Sequence, residues 1–175
     1  MTTRNNLPVM RRFAVLLAAL MLGACSLQRD VVLIRPTVAV GSKAPALSGQ
    51  NLDGQRTAVT FTGHKTVLVF WGSWCGPCRQ EQPGLTRIAG DLAAQGVQFF
   101  GVAMRDNGAN ARAFVQEFHV PYSNLLDDGK IAFNYEVDSP PSIVLVDAKG
   151  VVVGGLPGEF SENQVRALIQ QKLLT

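Results

Sequence analysis

The feature that most constrains this chain is the run Phe70-Trp71-Gly72-Ser73-Trp74-Cys75-Gly76-Pro77-Cys78-Arg79. It completes an apolar stretch, residues 67–70, and opens a segment with helical periodicity. Two cysteines three positions apart at a strand-to-helix junction can close a small disulfide, with the first at a helix N-terminus. There the unpaired backbone N–H groups and the helix dipole stabilise a thiolate, the reactive form of cysteine. A bare Cys-x-x-Cys is also half of a zinc site, but structural zinc needs four ligands and no second pair follows. A merely stabilising disulfide is the weaker alternative, because so short a loop hardly constrains the unfolded chain. The motif points to redox chemistry.

A chain of 175 residues, 47% of them apolar, suits one domain with its own core plus an export segment. The formal charge of +3 comes from Arg4, Arg11 and Arg12; the other Lys and Arg residues balance the 13 acidic ones. With no basic patch or RNA motif, nucleic acid is excluded as a partner. Arg11-Arg12 precede an uncharged apolar run, residues 13–22, and then Gly23-Ala24-Cys25. The run is shorter than the roughly 20 residues of a membrane-spanning helix and has the layout of a signal peptide. Leu22-Gly23-Ala24-Cys25 resembles a bacterial lipobox, which implies cleavage before Cys25 and a membrane-anchoring lipid on its sulfur. An ordinary signal peptide or an uncleaved anchor is the alternative. Residues 1–24 are thus the expected lipoprotein signal peptide, 25–40 a tether and 41–175 the folded domain. With Cys25 lipidated, only Cys75 and Cys78 remain, which suits an exported disulfide catalyst better than a disulfide-stapled scaffold.

Along the domain, residues 46–51 and 57–61 flank Leu52-Asp53-Gly54-Gln55 and read as a β-hairpin. Residues 67–71 read as a buried central strand. A helix is expected over 77–94, with Leu85, Ile88 and Leu92 on one face and Gly96 as its stop. Residues 97–104 read as a second buried strand, and 110–119 as a helix with Phe114, Val115 and Phe118 on its apolar side. A short strand at 124–126 and a short helix at 130–135 follow. Strands at 142–146 and 151–155 are joined by Asp147-Ala148-Lys149-Gly150. Ser161 caps a last helix over 161–174 whose Val165, Leu168, Ile169 and Leu173 face inward. This order predicts an α/β domain with a mostly parallel sheet and helices on both faces. Asp127-Asp128 reads as a turn rather than a metal site, and His64 and His119 stand alone.

The element order and the Trp-Cys-Gly-Pro-Cys motif together resemble the thioredoxin fold, and more narrowly the TlpA/ResA type of extracytoplasmic thiol–disulfide oxidoreductase. The resemblance implies that Cys75 is the nucleophile and Cys78 resolves the mixed disulfide, with exposed Trp74 contacting substrate. No cofactor is implied beyond the Cys75–Cys78 disulfide itself. Counting back from the Asp147–Gly150 turn places the family's cis-proline at Pro141. The residue before it, Pro140 here, lends its backbone to an extended substrate strand, but proline has no N–H to donate. Thioredoxin's buried Asp, six residues before the first cysteine, is replaced by Val69. Glu81 matches an acid common in the resembled branch; an ordinary solvated helix carboxylate is its other reading. Expected partners are disulfide-containing exported proteins, apocytochrome c among them, and a membrane thiol donor, since the chain has no NADPH or flavin motif. The rivals are a thiol peroxidase, whose Pro-x-x-x-Thr-x-x-Cys pattern the residues before Cys75 do not fit, and a copper- or metal-binding module. The latter pairs Cys-x-x-x-Cys with a histidine near the later proline, and this chain has neither.

Overall fold

A seven-stranded sheet organises residues 39–175, the part of the chain that the computed structural model describes. The expected signal peptide, Cys25 and the expected tether up to residue 38 lie outside the described residues. The elements run β1 (Leu47–Asn51), β2 (Arg56–Val59), β3 (Lys65–Trp71), α1 (Gly76–Ala93), β4 (Val97–Met104), α2 (Gly108–Glu117), β5 (Ser123–Asp127), α3 (Lys130–Asn134), β6 (Ser142–Val146), β7 (Val152–Pro157) and α4 (Glu162–Leu173). Across the sheet the strand order is β2-β1-β5-β4-β3-β6-β7. Among the described residues no helix is long and apolar enough to cross a membrane.

The sheet is mixed rather than mostly parallel. Only β3–β4 and β4–β5 pair in parallel, while β1–β2, β1–β5, β3–β6 and β6–β7 are antiparallel. The reason lies in the connections. α1 and α2 return the chain along the sheet, so the strands after them run parallel. α3 is a single short helix that makes no such return, and β6 therefore enters from the opposite end. The outer pairs are hairpins: Gly54 takes φ 82°, and Asn51 Oδ1 accepts the N–H groups of Asp53 and Gln55.

The apolar run of β3 is buried on both faces because both are covered. Val67, Val69 and Trp71 join Leu85 and Ile88 of α1, Phe114 of α2, and Val165 and Ile169 of α4 in one core. Leu68 and Phe70 point the other way, into a core with Val102, Val144, Ile131 and Tyr135. Three helices thus cover one face and α3 the other. The C-terminal ends of β3, β4 and β5 and the N-terminal end of β6 meet at one end of the sheet, where Phe70 pairs Ser142 and Met104 pairs Asp127. That end carries the cysteines.

Candidate active site

Cys75 is the N-cap of α1, in extended backbone conformation, and its sulfur accepts the N–H of Cys78 at 3.2 Å. Pro77 lies in the first turn, where its missing N–H costs no helical bond. The two sulfurs are joined as a disulfide. Exposure hardly separates the pair, at 5% for Cys75 and 3% for Cys78. Position does. On reduction, only Cys75 has the helix N-terminus and the Cys78 N–H to stabilise its thiolate.

Trp74 is 55% exposed, as the sequence led us to expect, yet it is held. Its indole N–H donates to the Met104 carbonyl at 3.2 Å, and the Arg105 guanidinium lies 5.8 Å from the ring centroid. The ring rests on Gly72, where a Cβ would stand 2.8 Å from the indole. Asp106 fixes the preceding turn: its carboxylate accepts Ser73 N–H at 2.6 Å, and Ser73 Oγ and Asn107 N–H at 2.9 Å. Beneath the motif, buried Trp71 donates to Asn124 Oδ1 at 2.9 Å and stacks on Phe114 at 4.3 Å. Gly101 makes room for that bond.

Glu81 is not the solvated carboxylate that was its other reading. One turn after Cys78, it accepts the Phe160 N–H through Oε1 at 2.8 Å, while Oε2 is buried with no hydrogen-bond partner among the described residues. Burial raises its pKa from 4.5 to about 7, opposed by the Phe160 N–H and helped by the charge of Glu159. Val69 is fully within the core, so the strand position that holds an acid in thioredoxin is apolar here. Glu81 lies on α1, one helical turn after Cys78.

The Pro140–Pro141 peptide bond is cis. Pro141 is buried just before Ser142, the β6 partner of Phe70, so its loop lies at the motif's end of the sheet. The Asp127-Asp128 turn is structural: both oxygens of Asp127 accept backbone N–H groups, from Gly129, Ile131 and Ala132, at the start of α3. Cys25 lies outside the described residues. Sequence reasoning missed Arg105 and Asp106 in the β4–α2 loop and the Phe160 donor. The first two had a usable signal, since loops at the carboxyl ends of parallel strands are where α/β sheets build their sites. Phe160 had none.

The sequence model of the AhpC/TSA family matches residues 40–154. The chain belongs to that family. It is 31% identical over 147 residues to the thiol:disulfide interchange protein DsbE of Pseudomonas aeruginosa, covering 79% of each protein. To the thiol:disulfide interchange protein HelX of Rhodobacter capsulatus it is 30% identical over 156 residues, covering 86% of each. Among solved structures, a putative DsbE-type interchange protein from Chlorobium tepidum superposes with a TM-score of 0.68 at 29% identity, over 76% of this chain and 94% of that one. MTB DsbF does so at 0.66 and 29%, over 71% and 93%. The fold is therefore thioredoxin-like, and this member of the AhpC/TSA family is a thiol–disulfide oxidoreductase.

Proposed function

We propose that the protein is an extracytoplasmic, lipid-anchored oxidoreductase that reduces disulfides of exported proteins, with apocytochrome c as a client. The observation that carries this reading is Cys75 at the helix N-cap with the Cys78 N–H on its sulfur, an acid of raised pKa standing one turn further on. The Cys75 thiolate attacks one client sulfur, forming a mixed disulfide and expelling the other sulfur as a thiolate. Cys78 then loses its proton towards Glu81 and attacks the Cys75 sulfur. The Cys75–Cys78 bond forms and the second client sulfur leaves. Two electrons pass to the client, whose thiolates take up two protons. A membrane dithiol returns the pair to its reduced form.

The Gly76-Pro77 spacer is that of thioredoxin, a reductant at about −270 mV, and lacks the histidine that makes DsbA oxidising. Peroxidase chemistry is disfavoured because Leu68 and Gly72 occupy the positions where its pattern needs Pro and Thr. Lipid anchoring rests on the order of charge, apolar run, small residues and Cys25. Client reduction is tested by trapping. Cys78→Ser should accumulate a mixed disulfide with reduced-and-denatured-then-oxidised apocytochrome c through Cys75, and Cys75→Ser should not. Equal trapping by both variants would overturn the assignment.

A further inference from the structure

Arg105 directly follows β4 with φ 47°, a left-handed backbone that arginine seldom takes and that commonly marks functional loops. Its guanidinium lies over the Trp74 ring, and Nη2 reaches the Asp138 carbonyl at 3.4 Å. It thereby links Trp74, beside Cys75, to the loop 138–141 leading into β6. The neighbouring Asp106 carboxylate is already engaged by three donors from Ser73 and Asn107. Arg79 is tied to Glu117 on the α1–α2 side.

We propose that Arg105 is a specificity-determining residue that favours clients carrying a carboxylate beside the reacting cysteine. The inference rests on client reduction as proposed above. A peptide joined to Cys75 and laid along Pro140 brings its flanking side chain to the Arg105 fork. A carboxylate there takes two parallel N–H bonds, while the indole face holds the fork in place. A client lysine meets like charge instead.

The test uses the full chain, reduced and in detergent, against paired peptide disulfides whose residue next to cysteine is Glu or Lys. The wild type should reduce the Glu peptide about five- to tenfold faster, and high salt should compress that ratio. R105K should keep the order and R105E should reverse it; R105Q, with a ratio near one, decides the matter should R105E misfold. An equal ratio in wild type, or one unchanged in R105E and R105Q, overturns the role of Arg105 while leaving client reduction standing. Failure to reduce either peptide or a small-molecule disulfide overturns the oxidoreductase reading, and this inference with it.

Discussion

Replacing Glu81 by Gln removes a carboxylate that the fold holds protonated well above its ordinary range. In the oxidised protein burial raises its pKa from 4.5 to about 7. The folded state thus binds this proton more tightly than the unfolded state. The resulting stability is fully present below about pH 4.5 and is lost as pH rises through about 7. At ~1.4 kcal/mol per tenfold change in proton affinity, the unscreened loss is ~3.5 kcal/mol. Glu81 is only half-buried, and it lines an open groove of 450 Å³ with Arg87, Glu159 and Gln164, so solvent screening reduces the expected loss to about 1–2 kcal/mol. Glutamine keeps the shape and can still accept the Phe160 N–H. Urea unfolding of both oxidised proteins at acid and mildly alkaline pH measures the difference, and other titrating groups cancel between them. Wild type should lose about 1–2 kcal/mol more than Glu81→Gln across that range. Equal losses would show that Glu81 titrates alike in the folded and unfolded chains, and would refute the reasoning.

Gly101→Ala would place a Cβ 1.8 Å from Asn124 Oδ1 and 2.7 Å from Trp71 Nε1; breaking that buried bond should cost about 2–4 kcal/mol in urea unfolding, and a loss under about 1 kcal/mol would contradict it. Pro140→Thr supplies the backbone N–H that proline lacks and should tighten binding of a mixed-disulfide peptide by about 0.5–1.5 kcal/mol, one net hydrogen bond; equal affinities would show that this donor does not limit recognition. Cys25→Ala should abolish lipid labelling and detach the protein from membranes or leave it uncleaved, and continued labelling would refute Cys25 as the lipid site.

Much of the site was legible because its signals are local. The apolar run before Trp71 and the cysteine spacing fix a strand, a helix start and the position of the cysteine pair within a dozen residues. Asp53-Gly54 gives the hairpin, and Ser161 caps α4 in a full capping box with Gln164. The direction of β6 was not legible, since it depends on how far α3 carries the chain along the sheet. Glu81 shows the boundary most clearly. Helical spacing puts it on the face of Cys78, but its burial and its partner come from Phe160, a residue brought back by β7 and unreadable from the helix. Arg105 and Asp106 are likewise defined by what Trp74 and Ser73 do once folded.

The reduction potential of the Cys75–Cys78 pair, obtained by equilibration with a dithiol buffer and trapping of free thiols, bears most directly on the proposal that this protein is a reductant. A value closer to that of thioredoxin, about −270 mV, is expected from the Gly76-Pro77 spacer. A value near that of DsbA, about −120 mV, would make the pair an oxidant and contradict client reduction.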